Sequence, residues 1–199
     1  MAKVKICGLS RLGDIDAVNS AKPDYIGFVF AESRRKVTLQ QVRKLRDKLN
    51  ADIVPVGVFV DEPIENILPL VREGLIEIVQ LHGSENEEYI CELKQHMEKP
   101  IIKAVSVRLK EDVSSRLNTI ADYLLFDNAN GGTGQVFDWN LIEGTGKLFF
   151  LAGGLSVENI TEAIANTTPF AVDVSSGVET NGVKDPEKIN EFIRRVRHG

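Results

Sequence analysis

Cysteine, tryptophan, methionine and histidine are scarce, with two, one, two and three copies in 199 residues. Two thiols, Cys7 and Cys91, are too few for the disulfide framework that staples small secreted domains. With no secretory signal in view they are expected to be free. His82 has no second His or carboxylate at ligand spacing, so no metal is expected. His96 and His198 read as surface residues in helical or terminal segments. Long apolar runs are missing as well. Stretches such as Leu148 to Ala152 fall far short of the ~20 residues a membrane span needs. Met1 to Lys5 opens no apolar signal segment. No membrane partner is expected, and a cytoplasmic location is. Positive charge is in deficit: 24 Lys and Arg against 29 Asp and Glu leave a net charge of −5. A nucleic-acid surface needs clustered basic charge, so no nucleic-acid partner is expected.

What is present is an ordinary globular balance, 43% hydrophobic and 27% charged. At ~150 residues per domain the chain reads as one domain over residues 1–199. Short β-branched or aromatic runs alternate with longer amphipathic stretches. The runs are Val4–Cys7, Tyr25–Phe30, Ile53–Val60, Ile76–Leu81, Ile101–Val105, Tyr123–Phe126, Leu148–Ala152 and Phe170–Val174. Each has the length and composition of a buried strand. Between them, Val42, Leu45 and Leu49 share a helical face, as do Ile64, Ile67, Leu68 and Val71. The same spacing recurs at Tyr89, Ile90, Leu93 and Met97, at Val157, Ile160 and Ile164, and at Ile189, Phe192, Ile193 and Val196. Asp61-Glu62-Pro63 and Asp185-Pro186-Glu187 each pair a capping residue with a proline near a first helical turn.

Strands alternating with helices make a parallel sheet covered by helices. Eight such units predict a closed α/β architecture, a single (β/α)8 TIM barrel, compact beside the ~250 residues usual for it. An open doubly wound sheet would carry its Gly-rich turn after the first strand, but that strand ends Cys7-Gly8-Leu9 with no G-x-G-x-x-G.

In a barrel, function gathers at the C-terminal ends of the strands. Cys7 fits a small buried hydrophobe, but its place at a strand end before Gly8 points to an accessible thiol. Ser33-Arg34-Arg35-Lys36 is either a solvated basic loop or a grip for an anion, since Arg can hold a carboxylate with two parallel hydrogen bonds. His82 follows strand 4, as a structural residue or one that orients a neighbour. Lys103 lies inside strand 5; it could be a Schiff-base amine, and a structural or electrostatic role ranks above that. Asp127 ends strand 6 and opens the Gly-rich stretch from Asn128 to Gly134, which could close over a ligand. It is a candidate acid or base, the plainer reading being a turn-forming Asp. Gly153-Gly154 after strand 7 and Ser175-Ser176-Gly177 after strand 8 are small and rich in backbone N–H, where barrels commonly hold phosphate.

The ordered set resembles the phosphoribosylanthranilate isomerase family along the whole chain. The matching pieces are Lys5-Ile6-Cys7-Gly8-Leu9, Gly27-Phe28-Val29-Phe30, Arg35, Gly57-Val58-Phe59-Val60, Gln80-Leu81-His82-Gly83 and Asp127. They continue with Gly131-Gly132-Thr133-Gly134, Phe137-Asp138-Trp139, Gly153-Gly154-Leu155, Asp173 to Glu179, and Gly182-x-Lys184-Asp185. The resemblance implies an Amadori rearrangement of N-(5'-phosphoribosyl)anthranilate, with Cys7 as general base and Asp127 as general acid. It implies no cofactor, because the substrate nitrogen serves as electron sink. The small-molecule substrate would be bound by Arg35, His82, Gly154, Ser175 and Ser176, in a monomer or homodimer of the tryptophan pathway. An indole-glycerol-phosphate synthase would use Lys and Glu on the early strands, and a non-catalytic phosphate-sugar binder would need neither Cys7 nor Asp127.

Overall fold

The computed structural model describes residues 1–128 and 136–199. Eight parallel strands close into a barrel in chain order. They are β1 (Lys3–Cys7), β2 (Tyr25–Val29), β3 (Val54–Phe59), β4 (Ile78–Leu81), β5 (Ile101–Val107), β6 (Tyr123–Asn128), β7 (Phe149–Leu151) and β8 (Ala171–Val174). All eight apolar runs are strands, and the barrel expected from them is the fold. The ring closes where β1 pairs with β8, Lys5 standing opposite Asp173. A two-stranded ribbon follows, β9 (Glu179–Thr180) with β10 (Val183–Lys184), which sets Lys184 opposite Glu179.

The helices are α1 (Leu12–Ala21), α2 (Leu39–Arg46), α3 (Ile64–Arg72), α4 (Glu87–His96), α5 (Lys110–Ser114), α6 (Ile160–Thr167) and α7 (Pro186–His198). Between β6 and β7 the described residues hold a 3-10 helix, Trp139–Ile142. α7 starts as its sequence predicts: the Asp185 carboxylate accepts from the amides of Glu187 and Lys188, with Pro186 in the first turn. α3 does not. Its N-cap is Pro63, and the Asp61 carboxylate accepts instead from the amide and hydroxyl of Ser84. Asp61 therefore ties the β3 end to the loop after β4 rather than capping a helix.

Strand alternation sorts the side chains into two cores. One set, including Val4, Ile6, Ile26, Phe28, Val79, Leu81, Leu124 and Phe126, packs with apolar faces of the helices. The opposite set fills the barrel: Tyr25, Val56, Ile78, Ile102, Leu125, Phe150 and Ala171 form an apolar plug towards the strand starts. Further along the same inward positions the chemistry changes to Lys5, Cys7, Gln80, Asp127 and Asp173. An apolar floor beneath a polar upper layer places the reactive groups at the strand ends. Lys103 is two positions from Ile101 and from Val105 and shares their face, so it points outward into the layer between barrel and helices. There its ammonium bonds the Glu85 carboxylate at 2.8 Å and the carbonyls of Leu81 and Gly83. That is the structural role and excludes the Schiff-base one.

Candidate active site

The C-terminal strand ends surround a cavity of about 440 Å³. Cys7, Arg35, His82, Asp127, Gly154, Ser175 and Ser176 all line it. Seven residues spread over the sequence thus converge on one ligand-sized space. The part of the Gly-rich stretch from Ala129 to Gly134 lies outside the described residues.

Both cysteines are free, Cys7 buried and Cys91 exposed. Cys7 follows Lys5 by two positions and so shares its inward face. Gly27 makes room for the sulfur: a methyl group there would stand 2.6 Å from Cys7 Sγ. Lys5 is fully buried and bonds both oxygens of Asp173 at 3.0 Å. Burial opposes the Lys5 ammonium, but Asp173 and Cys7 outweigh it and its pKa is raised. Burial also pushes the Cys7 thiol up; Lys5 and Lys184 pull it down without overcoming that, and Asp173 adds to the rise. The free protein therefore holds Cys7 as a neutral thiol at pH 7.

Asp127 faces His82, whose Nε2 lies 3.4 Å from Asp127 Oδ2. Gln80 Nε2 meets His82 Nδ1 at 2.9 Å. In this amide orientation Gln80 donates to Nδ1, which leaves the ring proton on Nε2, directed at the carboxylate. Gln80 is buried, and its Oε1 has no partner among the described residues. His82 is thus held from behind and touches the carboxylate in front.

Arg35 faces the cavity, whereas the Arg34 side chain is 58% exposed. The two-pronged grip expected of Arg35 is made on the chain's own Glu179, by Nε at 2.7 Å and Nη2 at 3.0 Å. Arg34 and Lys184 bond the same carboxylate at 2.6 and 2.7 Å, so three cations meet one anion. Burial works against the Glu179 charge, yet the bonds from Arg35 and Lys184 hold its pKa at about 2. The cluster keeps surplus positive charge beside the cavity of an acidic protein. Gly153 and Gly154 both take positive φ, 82° and 67°, which side chains disfavour.

Glu179, Lys184, Lys5, Asp173 and Gln80 had no assigned role in the sequence reading. Lys5 and Asp173 carry a usable signal, a lone charge inside each of two apolar strands. The Glu179–Lys184 pairing has none before the ribbon register is known.

The fold and this cavity define a (β/α)8-barrel enzyme that sets a thiol and a carboxyl on one small-molecule site. A family model for N-(5'phosphoribosyl)anthranilate (PRA) isomerase matches residues 4–195. An N-(5'-phosphoribosyl)anthranilate isomerase of Endomicrobium trichonymphae is 48% identical over 201 residues, covering 99% of each chain. The phosphoribosyl anthranilate isomerase structure from Thermotoga maritima superposes with a TM-score of 0.90 at 37% identity, covering 99% of each chain. A phosphoribosyl anthranilate isomerase solved in complex with reduced 1-(o-carboxyphenylamino)-1-deoxyribulose 5-phosphate gives 0.88 at 36% identity, covering 99% of each chain. The chain belongs to the N-(5'-phosphoribosyl)anthranilate isomerase family of tryptophan biosynthesis.

Proposed function

We infer that this chain converts N-(5'-phosphoribosyl)anthranilate to 1-(2-carboxyphenylamino)-1-deoxyribulose 5-phosphate, with Asp127 as general acid and Cys7 as general base. The observation that carries the assignment is that both groups line one cavity, at the ends of β6 and β1. Protonated Asp127 delivers its proton to the furanose oxygen as the C1–O bond breaks. The resulting iminium acidifies the C2 proton, which Cys7 removes as thiolate. The enolamine then tautomerises to the ketone. Each positioned proton transfer contributes ~10² to 10⁴ in rate. The neutral thiol of the free protein is answered by the substrate: an iminium in the cavity adds the opposite charge that favours ionised sulfur. His82 braces the Asp127 carboxylate through Nε2.

The substrate carries a phosphate and a carboxylate. Backbone donors around Gly154, Ser175 and Ser176 take the phosphate, and Arg35 takes the carboxylate. The related structure with a bound carboxyphenylamino sugar phosphate supports a ligand of that kind. Among the described residues, no helix is long and apolar enough to cross a membrane. We assign the protein to the cytoplasm, as one barrel domain over residues 1–199, working as a monomer or homodimer without a cofactor.

Loss of anthraniloyl fluorescence follows the reaction continuously. Cys7→Ser and Asp127→Asn keep the shape of each group and remove its proton-transfer role, so each lowers kcat at least ~10²-fold. Affinity for a product analogue changes little, because neither group holds the anionic ends. Cys91→Ser, at an exposed site on α4, keeps normal turnover. Full turnover in both Cys7→Ser and Asp127→Asn would refute the mechanism.

A further inference from the structure

The ribbon formed by β9 and β10 belongs to no βα unit, yet it carries the most deeply buried cation of the Glu179 cluster. The Lys184 side chain is only 2% exposed. Its Nζ bonds Glu179 Oε1 at 2.7 Å, the Ser175 carbonyl at 2.9 Å and Ser175 Oγ at 3.2 Å. Ser175 Oγ in turn donates to the Cys7 carbonyl at 3.0 Å. A buried ammonium is costly unless each of its protons finds an acceptor. Here three donors meet three acceptors, so the position of Lys184 is fixed, and with it the Ser175 main chain in the cavity wall.

We propose that Lys184 is a positioning residue of the substrate site: pinned to Glu179, it sets the Ser175 backbone at the anion end and ties that end to the strand bearing the Cys7 thiol. This rests on the reading of the β7 and β8 ends as the phosphate grip. The same Glu179 carboxylate holds Arg35, so one buried anion organises both ends of the cavity. A second consequence is electrostatic. The charged groups acting on Cys7 are Lys5, Asp173 and Lys184, and Lys184 is a cation that favours the thiolate.

The test uses the full chain in a Cys91→Ser background, so that Cys7 is the one thiol followed. Two readouts are compared in Lys184→Met: binding of inorganic phosphate by calorimetry, and the pH profile of iodoacetamide alkylation. Phosphate binding weakens about tenfold, as loss of a charge-assisted contact predicts, and the alkylation profile moves to higher pH. KM rises more than kcat falls. Lys184→Gln keeps an N–H donor for the Ser175 carbonyl without the charge; it retains most of the phosphate affinity but shows the same displaced profile. Should Lys184→Met fail to fold, the same two readouts are taken on Lys184→Ala, which removes the contacts to Ser175 without setting an apolar chain among the buried acceptors. A folded Lys184→Met with unchanged phosphate binding and an unchanged profile overturns the proposal. In Lys184→Met, a displaced profile with unchanged phosphate binding overturns the positioning of Ser175. Neither phosphate binding nor alkylation needs turnover, so together they judge Lys184 even if the chain proves inactive as an isomerase, a failure that the fluorescence assay reports separately.

Discussion

Replacing Arg35 with alanine tests how the cavity recognises a carboxylate, and the structure sets the size of the effect. Losing a hydrogen bond to a charged partner costs about 1.5–3 kcal/mol. A naive reading would therefore predict a rise in KM of ~10- to 150-fold. In the free protein, however, both prongs of Arg35 are occupied by Glu179, at 2.7 and 3.0 Å. A substrate carboxylate must share the guanidinium with Glu179 or displace it, so the net gain on binding is the difference between two similar interactions. That moves the expectation to the low end, about tenfold in KM, with kcat within about threefold because Arg35 touches neither transferred proton. Glu179 keeps Arg34 and Lys184, so the variant stays folded. Arg35→Lys restores the charge without the fork and recovers only part of the loss. The measurement is initial-rate fluorescence over a substrate series, with anthranilate as a competing ligand. An unchanged KM would refute Arg35 as the carboxylate grip. A hundredfold rise would refute the argument that Glu179 offsets its contribution.

Two further outcomes follow from the electrostatics. If turnover needs Asp127 protonated and Cys7 ionised, the productive fraction is constant between the two pKa values and falls outside them. Because burial raises the Cys7 thiol, kcat/KM should stay level through neutral pH and decline only above the ordinary thiol range of ~8.5; a decline between pH 7 and 8 would count against it. In the outer layer, Lys103→Met leaves the buried Glu85 charge with only the amides of Asp61 and Gly83 and should cost ~3–5 kcal/mol in urea unfolding, while Lys103→Met with Glu85→Gln, which removes the charge and keeps an acceptor for those amides, recovers part of it. A loss below ~1 kcal/mol in the single variant would show that the pair is not what holds the loop after β4.

Much of the architecture was legible because parallel barrel strands are buried on both faces and read as unbroken apolar runs. The helices were less uniform. α1 escaped notice because its first turn is inverted: Leu12 is 55% exposed while Asp14 is buried. The Asp14 carboxylate is turned back onto the amides of Ser10 and Arg11, which satisfies it and spoils the amphipathic pattern. α5 has five residues and buries only Val113, too little for a period to show. Asp61 looked like a cap because a short polar residue before Pro63 is compatible with one, and only the approach of Ser84 sends its carboxylate elsewhere. At the site, position on the barrel was enough to select Cys7, His82, Asp127, Gly154, Ser175 and Ser176, all of which line the cavity, whereas the choice of Arg35 over Arg34 rested on the family resemblance. Position could not show that Glu179 already occupies Arg35, since residues 144 positions apart meet only when the ring closes.

The ion pair between Lys5 and Asp173 also bears on how the chain finds its fold. These residues are 168 positions apart and stand directly opposite across the last seam of the barrel. Until β8 arrives, Lys5 is an ammonium in an unfinished wall with no carboxylate to meet it. A slip of one residue would turn Asp173 outward into the apolar layer and leave Lys5 facing inward alone. Either orphaned charge would cost several kcal/mol, far more than one misplaced aliphatic residue. The pair thus acts as a key for ring closure: it rewards the registered seam, and the correctly closed barrel is separated from its slipped near misses by a gap in energy.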